Sequence, residues 1–246
     1  MIIFFKRFLK QNFFLKTNIF SRFKFFFIWE ICYLRFLYFF VFKKNFKTFN
    51  EIEEHTIGTH YSKKSFYDGK IPIYRPNDRI FYPFFNLLSD PNLEKDKILI
   101  LGPRYENEIF IAKAIGFKNI FALDTFSYSP LVEMGDMHNL KYSNDFFDAI
   151  VCGWTLSYST NPQKACKEMS RVLKKNGSIV ICVGKVNSEK QEHEGAQKIK
   201  DIPTGNQRIQ TKAQFDQLFI GLECVTVFED NKKKDSSHFL ITYKKI

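Results

Sequence analysis

The sequence predicts an α/β fold, a mostly parallel sheet flanked by helices, preceded by a basic, apolar helical extension. Three observations carry that expectation. Residues 97–124, KILILGPRYENEIFIAKAIGFKNIFALD, have the pattern of a buried strand, a tight turn, a helix and a second strand ending on a carboxylate. The alternation of apolar runs with helical spacing continues to residue 186. The first fifty residues stand apart: they hold ten Lys or Arg against one acid, Glu30, which is +9 of the chain's +11, and 16 of its 30 Phe.

Each element follows from its residues. Ile98 to Leu101 form a continuous apolar run between charge and Gly102-Pro103, as expected of a central strand buried on both faces. Ile109, Phe110, Ala112 and Ile115 follow at helical spacing, and Gly116 stops the helix. Ile120 to Leu123 make the second strand and leave Asp124 at its carboxyl end. VEMGDMH, 132–138, reads as a third strand ending at Asp136, and FFDAIVCGW, 146–154, as a fourth ending at Gly153 and Trp154. A helix begins near Asn161-Pro162 with Ala165, Met169, Val172 and Leu173 on one face, and GSIVICVG, 177–184, is the fifth strand. Thr211 is a candidate cap for a last helix. ECVTVFED and SHFLITYKK, joined by a charged turn, then close the sheet as an antiparallel hairpin.

The turn after the first strand narrows the ligand. A dinucleotide site wants three glycines there for close approach of a pyrophosphate. This turn has Gly102, Pro103 and Arg104, and it puts Glu106 and Glu108 in the first turn of the helix. Those carboxylates repel a diphosphate but suit a ligand carrying a sulfonium and an ammonium, whose carboxylate Arg104 would hold in bidentate fashion. Asp124, 22 residues after Gly102, is placed to accept both ribose hydroxyls of an adenosine, and Asp136, next to Met137, to accept the adenine amine. Gly153 and Trp154 lie at the carboxyl end of the fourth strand, where open α/β sheets bind ligands. The pattern favours S-adenosylmethionine over NAD and shows no metal-ligand spacing.

LGPRYENE, FALD, GDMH, NDFFDAIVCGW and ACKEMSRVLKKNGSIVICVG, in this order and spacing, resemble the class I S-adenosylmethionine-dependent methyltransferases, of the group called methyltransferase type 11. The resemblance covers residues 97–186 and implies a Rossmann-like, seven-stranded, mostly parallel sheet with a closing antiparallel hairpin. It implies S-adenosylmethionine bound by Gly102, Pro103, Arg104, Glu106, Asp124, Asp136, Met137, Gly153 and Trp154. Two departures stand out. The family's glycine-rich first motif is reduced to Gly102, and Asn176-Gly177 replaces the usual Pro-Gly-Gly. Methyl transfer needs alignment more than acid–base groups, so no catalytic residue is assigned. His138 is the histidine nearest the site; Trp154 and Tyr158 are candidate walls of the methyl pocket; Ser157 and Cys152 carry no nucleophile pattern.

Residues 1–50 are expected as the extension, 51–92 as a connector with His60, Tyr61, Tyr74 and Arg75 as candidate cofactor-lid residues, and 93–246 as the methyltransferase domain. The polar stretch 189–209 is an acceptor-side loop or a solvated insertion. Phe4 to Phe14 have amphipathic spacing, and residues 25–42 are apolar nearly all round. Twelve Phe, Ile, Leu and Val there favour insertion by about 4–7 kcal/mol, and Arg35 and Glu30 offset nearly all of it, so a span, a headgroup-level position and simple packing all stay open. The excess of Phe argues against nucleic acid as partner. Five scattered cysteines suggest a reducing, cytoplasmic setting, at the inner face of the membrane if the extension binds there. The expected acceptor is a small or lipid-linked molecule. The alternatives are a catalytically inactive, membrane-associated binding module of the same fold and, less well matched, a nicotinamide-dependent oxidoreductase.

Overall fold

Seven strands make one sheet in the order β3-β2-β1-β4-β5-β7-β6. They are β1 Lys97–Leu101, β2 Asn119–Asp124, β3 Glu133–Met134, β4 Phe147–Gly153, β5 Leu173–Val186, β6 Leu222–Lys233 and β7 Ser236–Lys245. The first five run parallel, and β7 lies antiparallel between β5 and β6. The computed structural model describes residues 19–49, 77–90, 97–103, 105–153, 155–159, 161–186, 212–233 and 236–246. The helices are α1 Ile19–Phe36, α2 Asn77–Ser89, α3 Asn107–Ala114, α4 Pro162–Val172 and α5 Lys212–Leu218.

Strand periodicity divides the core. On β1, Leu99 and Leu101 face a cluster with Met169 and Val172 of α4 and Phe215 of α5. Ile98 and Ile100 face the other side, against Phe84 and Leu87 of α2, Ile109 of α3 and Trp29 of α1. Burial on both faces is why the central strands read as unbroken apolar runs.

Local departures from the sequence pattern have local causes. β3 stops at Met134, short of Asp136, because the Asp136 side chain accepts the His138 N–H at 3.0 Å and its carbonyl the Asn139 N–H at 3.1 Å, a turn that competes with strand pairing. β5 starts early: Leu173 pairs with Phe147, the chain bulges through Asn176 at φ 62°, and pairing resumes at Ser178 opposite Ala149. The last helix ends at Leu218 ahead of Gly221, whose φ is 86°.

The extension is built into this core. Trp29, Cys32 and Phe36 are buried, and α1 continues as a wider helical turn over Leu37–Phe42. Lys47–Thr48 then pairs antiparallel with Phe126–Ser127, just beyond the end of β2. Among the described residues no helix is long and apolar enough to cross a membrane. The 4–14 helix, the lid candidates His60, Tyr61, Tyr74 and Arg75, the 189–209 loop and the Thr211 cap lie outside the described residues.

Candidate cofactor site

Backbone hydrogen bonds stitch the carboxyl ends of three strands into one rim. The Gly102 N–H donates to the Leu123 carbonyl at 2.8 Å, and the Gly135 N–H to the Asp124 carbonyl at 3.0 Å. These bonds bring the turn after β1 beside the ends of β2 and β3. Gly102 adopts φ 73°, in the left-handed region, and a Cβ there would lie 2.0 Å from Thr155 Oγ1. Thr155 itself donates to the Leu101 carbonyl at 3.1 Å. The glycine is therefore required by the chain's own packing.

Both expected adenosine acids lie on this rim and are buried, Asp124 at 8% and Asp136 at 3% exposure. Asp124 Oδ1 accepts the Thr125 N–H at 2.7 Å. Asp136 Oδ1 accepts two bonds from His138, from the backbone N–H and from ring Nδ1 at 2.6 Å. Burial pushes the Asp136 carboxyl upward, but the bonds from His138 outweigh it and hold the group below its ordinary value. Asp136 Oδ2 is buried with no hydrogen-bond partner among the described residues. Met137, next to Asp136, and Gly153, at the end of β4, are buried, and Pro103 is buried in the first turn. Arg104 and Trp154, and the side chains of Ser157 and Tyr158, lie outside the described residues.

Glu106 is where the structure departs most from the sequence expectation. Its carboxylate does not stand open to a ligand's cation: it is fully buried and already paired. Arg35 of α1 donates from Nε to Oε2 at 2.5 Å and from Nη2 to Oε1 at 2.9 Å, and the Ser129 hydroxyl donates to Oε1 at 2.6 Å. The hydrogen bond to Glu106 raises the Arg35 pKa. The guanidinium also lies 5.0 Å from the Phe39 ring centre and 5.7 Å from that of Phe110. Cys32, Phe36, Tyr105, Phe126 and Tyr128 pack around this pair. Burial, with the charge of Glu106, pushes the Cys32 thiol up to about 12.

Sequence reasoning missed Arg35, Ser129, Thr155 and Ser159. Arg35 alone left a trace, as a lone cation in an apolar helix, which requires an anion if the helix is buried.

The strand order, the five parallel strands and the closing hairpin match the methyltransferase arrangement. Residues 117–181 match the family described as "Methyltransferase domain". The chain folds as a class I methyltransferase. A methyltransferase from Aquifex aeolicus, S-adenosylmethionine-dependent by its description, aligns over 75% of this chain and 96% of its own with TM-score 0.51 and 17% identity. The MccD protein aligns over 68% and 97%, with TM-score 0.55 and 13% identity. A geranyl diphosphate methyltransferase, in complex with GPP and sinefungin, aligns over 66% and 75%, with TM-score 0.54 and 10% identity. Among curated proteins no sequence matches the chain.

The family match over residues 117–181, together with the fold, implies S-adenosylmethionine as the cofactor. The residues present suit its adenosine half: a rim carboxylate at the end of β2, and a second, buried carboxylate with one oxygen unpartnered among the described residues. At the first turn the chain neutralises its own acid with Arg35.

Proposed function

We propose that the protein binds S-adenosylmethionine at the rim of β1, β2 and β3 and transfers its methyl group to an acceptor at a membrane surface. The observation that carries the cofactor part is Asp136 Oδ2, a buried acceptor lacking a donor among the described residues. Such a group is costly to leave unpaired, and the adenine amine is a donor of the right kind. Asp124 would accept the ribose hydroxyls and Met137 would supply apolar contact to the base. The bound cofactor supplies an electrophilic methyl group on a cationic sulfur. The domain's own share is orientation: the stitched strand ends fix the rim, and α1 with its Arg35–Glu106 pair closes the first turn.

The membrane part rests on the outward face of α1 and the turn that follows. Phe27, Ile31, Leu34, Tyr38, Val41 and Phe42 are exposed at helical spacing. Lys43, Lys44 and Lys47 are exposed beside them. An apolar ridge edged by cations suits the headgroup region of an anionic bilayer. That position fits an amphiphilic acceptor, such as a lipid-linked glycan or a quinone-like molecule.

Two measurements test this reading. Calorimetry should show binding of S-adenosylhomocysteine, and no heat at millimolar ligand would end the cofactor reading. The full chain should sediment with vesicles containing phosphatidylserine, and the triple variant Phe27→Asp, Leu34→Asp, Phe42→Asp should not. Release of the parent protein by salt alone would exclude apolar insertion. A second reading, an inactive module of the same fold, is favoured by one observation: Thr155 packs over Gly102 and Arg35 takes Glu106, so the chain itself uses the first turn. Binding without turnover on a broad acceptor panel would support that reading.

A further inference from the structure

Behind Asp136 Oδ2, unpartnered among the described residues, runs a buried chain of hydrogen bonds that the methyl transfer itself does not use. Asp136 Oδ1 meets His138 Nδ1 at 2.6 Å, and His138 Nε2 meets Ser159 Oγ at 2.6 Å. Ser159 Oγ accepts the Asn161 N–H at 3.2 Å, while Asn161 Oδ1 caps α4 by accepting the Lys164 N–H at 3.0 Å. His138 is 1% exposed, Asp136 3% and Ser159 7%. A ring with one proton satisfies every atom in one order: Asn161 donates to Ser159, Ser159 to Nε2, and Nδ1 to Asp136.

We propose that His138, braced by Ser159, is the positioning residue that makes this site specific for adenine. The proposal rests on the reading that Asp136 meets the cofactor's base. His138 occupies Oδ1 twice, through its ring and its backbone, so the carboxylate has one rotational setting and presents Oδ2 alone. An ionised carboxylate only accepts, so Oδ2 attracts the amine of adenine and repels the carbonyl that hypoxanthine carries at the same place. Sites built to bond a ligand's N–H discriminate strongly against analogues lacking it, because the buried group is then left unpaired. The bracing also explains why the chain reaches α4: the cap that starts that helix fixes Ser159, and Ser159 fixes the ring. The adenine end of the site is thereby tied to the loop after β4.

The test uses the full-length protein and two probes, S-adenosylhomocysteine and S-inosylhomocysteine, titrated by calorimetry. The parent should favour the adenosine compound at least about a hundredfold. In His138→Phe that preference should fall by on the order of tenfold to a hundredfold, the worth of a hydrogen bond to a charged group. His138→Asn, whose amide keeps a donor near the Nδ1 position, should retain most of it. Long-range proton–nitrogen spectra of the parent should show His138 protonated at Nδ1. Undiminished preference in His138→Phe overturns the proposal. So does a parent ring protonated at Nε2 alone, which decides the matter even where His138→Phe fails to fold. If the parent binds S-adenosylhomocysteine but these results fail, the positioning role falls alone; if it binds neither probe, the cofactor reading falls with it.

Discussion

Replacing Arg35 with Met should separate α1 from the first turn and destabilise the whole domain. Glu106 is fully buried, and after the replacement its carboxylate would keep only the Ser129 hydroxyl among its side-chain donors described here. Removing one partner of a buried ion pair costs about 3–5 kcal/mol, because an uncompensated charge stays behind. Arg35 is 31% exposed, so water would reach the vacated space, and the expected loss is about 2–4 kcal/mol. Glu106→Gln keeps the shape, removes the buried charge and leaves the cation near solvent, for an expected loss of about 1–2 kcal/mol. The double variant should then be about as stable as Glu106→Gln alone, a coupling of about 2–4 kcal/mol, equal to the whole Arg35→Met loss. Urea unfolding measures this, followed by circular dichroism and by the fluorescence of Trp29, which is buried on α1. An Arg35→Met protein within about 0.5 kcal/mol of the parent, or a double variant equal to the sum of the singles, would refute the reasoning.

Three further outcomes are expected. Gly102→Ala should destabilise severely, since its Cβ would meet Thr155 Oγ1 at 2.0 Å with φ at 73°; adding Thr155→Gly should restore all but the backbone strain of about 1–2 kcal/mol, and full recovery or none, by thermal melting, would contradict the packing described. Cys32, with its thiol pushed up by burial to about 12, should resist a disulfide reagent at pH 8 in the parent and react readily in Arg35→Met; equal rates by mass spectrometry would show that α1 does not depend on the pair. Glu168 is held below its ordinary value of 4.5 by hydrogen bonds from Arg171. The folded carboxylate thus binds protons less readily than the unfolded one, so its stabilisation is complete above about pH 4.5 and is lost as pH falls through the folded value; Glu168→Gln should flatten the acid limb of the stability profile, and an unchanged limb would exclude the contribution.

Much of the fold was legible because central parallel strands leave a blunt mark. Ile98 to Leu101 and Ala149 to Cys152 are buried on both faces, so each is an apolar run that any strand-first reading finds. The place of Asp124 was legible for a related reason: an acid that closes such a run sits at a strand's carboxyl end, wherever the rest of the chain goes. The limits of β3 and β5 were less legible, because side-chain turns at Asp136 and a bulge through Asn176 decide them.

Glu106 shows what sequence alone does not decide. A carboxylate at a helix start is an open ligand for a cation until something else reaches it first, and what reaches it lies 71 positions earlier. The same holds for the extension. Composition establishes that residues 1–50 are basic and rich in Phe, and helical spacing gives α1 an apolar face, but not which part of that face finds a protein partner. Tertiary structure buries Trp29, Cys32 and Phe36, leaves Phe27, Leu34 and Phe42 exposed, and turns Arg35 from an obstacle to membrane insertion into the counter-ion of the first turn. Local spacing is written in neighbouring residues, whereas the pairing of one buried charge with another is a long-range choice made when whole elements pack.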